Sequence, residues 1–301
     1  MARRITPLAV ALVLLVGCGK NRTGPTSSAE GASPPDPGAA FTLKIREEQQ
    51  GDKLAVTTVS TGTIEGGSGK EAFKLPEDSA AEYTETVLEM PAGAAQPTKL
   101  IRAYRNATKY DLATKGPKPL AYQGKTVTIE KKGTGYTFTV DGKDLDPLSA
   151  SELKQEFGPS DKKGAVQDLL PKRAVKVGES WAVNPEAVKD LLSELPFGID
   201  TGKSKMTGTL VRAYTQDGKP WGRIAFAFDL VIDPTPVEGS KGGTASGTVK
   251  IVAALDAVTD GSAPDGVMKM AVRVNVTSQE AGKETKITSD TVRTRTIKSV
   301  K

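Results

Sequence analysis

The chain contains no histidine and only one cysteine in 301 residues. Without imidazole there is no Ser-His-Asp or Cys-His nucleophile. His-based zinc, copper and iron sites are excluded for the same reason. A lone cysteine has no intramolecular disulfide partner. Aromatic residues make up 5% of the chain and mean hydropathy is −0.32, so a globular body would have a modest, aliphatic core. The apolar run Leu8–Val16 is well short of the about 20 residues a membrane-spanning helix needs. An enzyme built from this chain would have to rely on carboxylates, a Ser-Lys pair or an unusual base. The expectation is a non-catalytic protein with no cofactor and no metal site.

The N-terminus is where residue order becomes specific. Arg3 and Arg4 give a short positive start, Leu8–Val16 is unbroken and apolar, and polarity rises sharply after Gly17 and Cys18. This is the order of a secretory signal peptide, residues 1–17. Leu15-Val16-Gly17-Cys18 resembles the lipobox of bacterial lipoproteins: an aliphatic residue, a tolerant position, a small residue, then cysteine. The resemblance implies a diacylglycerol on the Cys18 thiol, cleavage before Cys18 and acylation of the new amine. A lipidated Cys18 also removes thiolate and Fe–S chemistry. Several acyl chains anchor durably because each buried CH₂ contributes about 0.8 kcal/mol, whereas one chain binds reversibly. Gly19 stands where aspartate would signal inner-membrane retention, which favours the outer membrane, facing the periplasm. Residues 18–40 complete the anchor and a tether rich in Pro, Gly, Ser and Ala. Such a segment buries too little surface to offset its ordering entropy and spans roughly 25 Å as a coil.

Residues 41–301 read as a single β-rich domain, with a possible subdivision near 145–200. Cleavage takes two basic residues from the 41 and none of the 36 acids, leaving +3. The signs are interspersed, so no basic stripe points to nucleic acid. Phe41–Ile45 and Leu54–Thr61 alternate around the Gly51-Asp52 turn and predict a hairpin. Further strands are expected at 83–90, 99–110, 125–131, 136–140 and 174–182. The C-terminal third adds 205–216, 221–232, 249–255, 268–276 and an edge-like, Thr- and Arg-rich 284–298. Between them, Ser149–Glu152 has capping-box spacing before Leu153 and Phe157, and 165–170 suggests a turn of helix. Asn184-Pro185 is an N-cap and N1 pair, followed by the stripe Val188, Leu191, Leu192 and Leu195. One clean apolar face per strand indicates antiparallel sheet covered on one side. The fold expected is α+β, mainly antiparallel β: a large curved sheet with two or three short central helices packed on one face.

Leu170-Pro171-Lys172-Arg173-Ala174-Val175-Lys176-Val177-Gly178-Glu179-Ser180-Trp181 resembles a segment of uncharacterised secreted bacterial proteins. The resemblance carries no activity. The residues themselves predict a strand from Pro171, a tight turn at Gly178 and Trp181 packed on the core. The sheet-and-helices outline is also similar to that of envelope lipoprotein carriers, whose half-barrels hold lipid. Gly198–Ser204 echoes a phosphate loop with one residue too few between its glycines and follows a helix rather than a strand, so no nucleotide is expected. Ser151 and Lys154 match Ser-x-x-Lys without its companion motifs. Asp141, Asp144 and Asp146 cluster at a turn with spacing unlike a calcium loop. Phe226, Phe228, Met268 and Met270 share apolar stripes that would either fill a core or line an apolar ligand site. The functional expectation is a membrane-anchored envelope lipoprotein with a binding or structural role, its partner a protein or glycan. The alternative is a carrier of a lipid or other apolar ligand.

Overall fold

A computed structural model of the chain describes residues 38–300, apart from 68–71, 93, 95, 155, 158–165, 192–197, 237–243 and 281–282. The signal segment, Cys18, most of the tether and Leu192, Leu195 and Pro196 therefore lie outside the described residues. The N-terminal strands are β1 (Ala40–Phe41), β2 (Lys53–Gly67), β3 (Phe73–Pro76), β4 (Ser79–Glu89), β5 (Lys99–Asp111), β6 (Gly116–Pro119), β7 (Thr126–Lys132), β8 (Gly135–Val140) and β9 (Lys143–Asp144). Helix α1 (Pro147–Lys154), a 3₁₀ turn (Val166–Leu169), β10 (Val175–Lys176), β11 (Ser180–Ala182) and α2 (Pro185–Leu191) follow. The C-terminal strands are long: β12 (Ile199–Gln216), β13 (Lys219–Pro236), β14 (Thr244–Val258), β15 (Gly266–Glu280) and β16 (Lys283–Ser299).

Fourteen strands form one antiparallel sheet, ordered β11-β12-β13-β14-β15-β16-β2-β4-β5-β7-β8-β9, with β3 beside β2 and β6 beside β5. The sheet is not closed, and β1 pairs only with β10. Alternation explains the burial. Ile224, Phe226, Phe228, Leu230 and Ile232 on β13 face the same side as Val249, Ile251, Ala253, Leu255 and Ala257 on β14, and all are buried.

Two cores form. The first joins these residues to Leu43, Leu169, Leu170, Val175, Trp181, Ala187, Val188, Val272, Val274, Val276 and Ile287. The second joins Leu54, Val56, Tyr83, Leu100, Tyr104, Val127, Ile129, Tyr136 and Phe138 to Ala150, Leu153 and Phe157. They meet where β16 passes β2. Only two residue pairs of that ladder form, Lys298 with Ala55 and Ser299 with Leu54. Further along, Gly62 packs against the Thr291 side chain so closely that any Cβ there would collide with it.

Several expectations need correction. Phe41–Ile45 makes no hairpin with β2; Phe41 pairs with Val175, and Lys44 bridges to Asp260. Burial of Leu43, 3% exposed, in the first core draws this segment across the sheet instead. The strand expected at 174–182 is split into β10 and β11 by a turn at Gly178, whose φ is +84°. β16 is no edge: it pairs with β15 along its length, and its Ser289 and Thr291 are buried. Helix α1 begins at Pro147, with the Ser149 amide donating to Asp146 Oδ1 (3.1 Å), because Asp-Pro supplies a cap and N1 earlier than Ser149 does. At α2 the expected cap is in place, Glu186 N–H donating to Asn184 Oδ1 at 3.1 Å.

Candidate functional site

The sheet's apolar face thins towards one end. On β14 the series runs Val249, Ile251, Ala253, Leu255, Ala257; on β15 the paired residues run Val274, Val272, Met270, Met268, Gly266. Leu255, Met268 and Arg295 lie side by side on β14, β15 and β16, and Ala257, Gly266 and Ile297 form the next row. Small side chains in that second row leave space above the sheet. Residues 45–48 and the 3₁₀ turn roof this space rather than fill it. A cavity of about 390 Å³ results, lined by the two rows together with Leu54, Ile45, Glu48 and Gln167. Its size is within the range of small-molecule sites. The roof is tied down by Lys44 N–H to the Thr259 carbonyl (2.9 Å), Ile45 N–H to Gln167 Oε1 (2.9 Å) and the Arg46–Asp52 ion pair (2.8 Å).

One wall of the cavity is ionic, and behind it lies a buried charge cluster. Arg102 and Glu85 are 3% and 1% exposed. Arg102 donates from Nε to Glu85 (2.6 Å) and through both terminal nitrogens to Glu156 (2.7 and 2.9 Å). Its guanidinium lies between the rings of Tyr83 and Phe157, 4.4 and 4.7 Å from their centroids. Burial works to raise the Glu156 carboxyl, but Arg102 outweighs it and holds the group at about 2. Glu48 behaves oppositely. Burial, then repulsion from Glu85, pushes its carboxyl up to about 7 despite Arg295 and Arg102. Arg295 approaches Glu48 only to 4.0 Å, and its Nε is buried without a hydrogen-bond partner among the described residues.

The residues singled out from sequence are divided by this geometry. Met268 lines the cavity. Met270 is partly buried against the first core. Phe226 and Phe228 are 4% and 3% exposed, with ring centroids 6.0 Å apart and Trp181 edge-on to Phe226, so they fill the core. Trp181 donates from Nε1 to the Leu169 carbonyl (2.9 Å) and lies flat over Gly208. Residues 199–204 are the irregular start of β12 rather than a loop; there the amides of Gly202 and Lys203 donate to Asp200 Oδ1, both at 3.1 Å, so a local carboxylate takes the donors a phosphate would need. Among the described residues no group of three His, Cys, Asp or Glu could hold a metal. No described helix is long and apolar enough to cross a membrane.

Arg102, Glu85, Glu48 and Arg295 were not anticipated from sequence. A signal was present: Arg102 stands between Leu100 and Tyr104, and Glu85 between Tyr83 and Val87, each at an inward position of an apolar alternation. Comparison with protein-family models and with curated proteins gives no match.

Proposed function

We propose that the chain is an exported lipoprotein, anchored through Cys18, whose non-catalytic body binds a small apolar ligand in the cavity beneath residues 45–48. The observation that carries this reading is the cavity itself, a half-open space of about 390 Å³ beside two packed cores, apolar on one side and lined by Arg46, Glu47, Glu48 and Arg295 on the other. We read the fold as a curved sheet with the short helices over its inner face. Ala150 and Leu153 of α1 belong to one core and Ala187 and Val188 of α2 to the other, which supports that reading. A space of about 390 Å³ is too small for a multi-chain lipid, so binding of a small ligand fits better than carriage of such a lipid.

Two experiments test the two halves of the proposal. Cys18→Ser should move the protein from the membrane fraction to the soluble envelope fraction. A protein that stays membrane-bound with unchanged mobility would refute the anchor. Native mass spectrometry of the exported Cys18→Ser chain should show a co-purifying small molecule, lost when Ala257→Phe fills the cavity. Repeated bare masses, together with failure of added medium-chain amphiphiles to bind, would refute the ligand site.

A further inference from the structure

We infer that the cavity takes an anionic group on a short apolar tail, with Arg295 receiving the anion. This deepens the binding reading above and rests on it. The argument starts from a contrast between two guanidinium groups in one region. Arg102 is saturated: Glu85 accepts from its Nε, Glu156 accepts from both terminal nitrogens, and aromatic rings cover both faces. Arg295 lines the cavity with a buried Nε that has no acceptor among the described residues. Its nearest carboxylate, Glu48, is 4.0 Å away, outside hydrogen-bond range. Nε itself is shielded, but the side chain is 28% exposed, so an anion in the cavity would meet the terminal nitrogens, the nearer of which lies 4.0 Å from Glu48 and makes no hydrogen bond to it.

The apolar part of the wall specifies the tail. Leu54, Leu255, Ala257, Met268 and Ile297 supply it beside Arg295, while Arg46, Glu47, Gln96 and Gln167 make the remaining wall polar. At about 390 Å³ the pocket is at the small end of small-molecule sites, suited to one short chain. Decanoate is of that size.

Charge balance adds a condition. The groups around Glu48 are Glu85 on β4, Arg102 on β5, Glu156 after α1, and Arg293 and Arg295 on β16. Arg102 is shared between Glu85 and Glu156 and Arg46 is held by Asp52, which among the described residues leaves Arg295 as the cation within 4.0 Å of Glu48. An incoming anion therefore competes with ionised Glu48 for Arg295. With its carboxyl raised to about 7 by burial and by Glu85, Glu48 can take up a proton and yield the guanidinium. Affinity should then fall as pH rises above 7, by up to about tenfold per unit if the proton is required.

The test is calorimetric titration of the full-length Cys18→Ser chain with decanoate, decyl phosphate, decanol and decylamine. Decanoate or decyl phosphate should bind about tenfold or more tightly than decanol, a difference of 1.4 kcal/mol or more. Which of the two binds more tightly assigns the headgroup as carboxylate or phosphate. Arg295→Gln should remove the preference and leave decanol binding unchanged, and Glu48→Gln should flatten the pH dependence. If Arg295→Gln does not fold, Met268→Trp, which fills the apolar part alone, should abolish anion binding. Decanol or decylamine binding as tightly as the anions would overturn the role of Arg295 while leaving the cavity as a ligand site. Binding of none of the four would overturn both.

Discussion

Arg102 shows what a single buried charge demands of its neighbours. It sits on β5 at a position where alternation calls for an apolar side chain, and its partners come from β4, β5 and the segment after α1. Removing one partner of such a cluster is costlier than the cluster's net contribution, because a charge is left unpaired in low dielectric. Arg102→Met should therefore lower stability by about 3–5 kcal/mol; in chemical denaturation, a loss below about 1 kcal/mol would show that Glu85 finds water instead. Two carboxylates set opposite pH responses. Glu156, held near 2 in the folded chain, contributes stability above about pH 4.5 that is lost as pH falls towards 2. Glu48, raised to about 7, carries no penalty below about pH 4.5, but one that grows up to pH 7 and persists above it. Glu77, pushed up to about 8 by burial, acts in the same sense as Glu48, so a comparison of variants is the sharper readout. Glu48→Gln should raise stability by about 1–3 kcal/mol at pH 8 and leave it unchanged at pH 4. Equal effects at both pH values would mean that Glu48 is not perturbed by its surroundings.

The strands owe their registers to irregularities as much as to alternation. On β5, Glu82 pairs with Asn106 and Tyr83 with Tyr104, so Arg105 is an extra residue; it lets Ala107 turn inward after Tyr104. On β12, Leu210 pairs with Ile224 and Arg212 with Arg223, which makes Val211 the extra residue, 46% exposed. Deleting Val211 should leave Leu210 and Ala213 inward and Arg212 outward in an unbroken ladder, so it should melt close to Val211→Thr, which should stay within about 0.5 kcal/mol of the unsubstituted chain. A much lower melting temperature for the deletion would show that the bend and twist of the bulge are themselves required. Gly208→Ala, beneath Trp181, should cost about 1–3 kcal/mol through overpacking; an unchanged melt would mean that the indole can shift. These elements also mark how far the sequence could be read. The β13, β14 and β15 strands follow from clean alternation, and the turn at Gly178 and the cap at Asn184 from residue chemistry. The partner of Phe41–Ile45 does not follow, because five alternating residues carry no information about which strand or core they join. Thr and Arg on β16 read as an edge because composition cannot show that β2 crosses it. The cavity was hidden for a related reason: Ala257 and Gly266 become an opening only when register sets them side by side.

Two cores need not mean two folding units, and the β2–β16 crossing is where that question is decided. β2 contributes Leu54 and Val56 to the second core and Ile64 to the first. β16 reciprocates, with Ile287 in the first core and Ile297 packed against the second. Neither core can lose its half of the sheet without stripping a strand that the other requires. The ladder between the two strands is only two residue pairs long, so the link depends on side-chain packing more than on backbone hydrogen bonds. Gly62 sets how closely the strands approach, since its missing side chain makes room for Thr291. The molecule should therefore unfold in one calorimetric transition, with equal van't Hoff and calorimetric enthalpies. Gly62→Val should weaken that coupling and move the transition down, at a cost of about 1–3 kcal/mol. Two resolved transitions in the unsubstituted protein would mean that residues 53–144 and 180–299 are separate cooperative units. The cavity would then lie between bodies free to part. One transition would make it a fixed cleft of a single cooperative unit, with residues 45–48 along its wall.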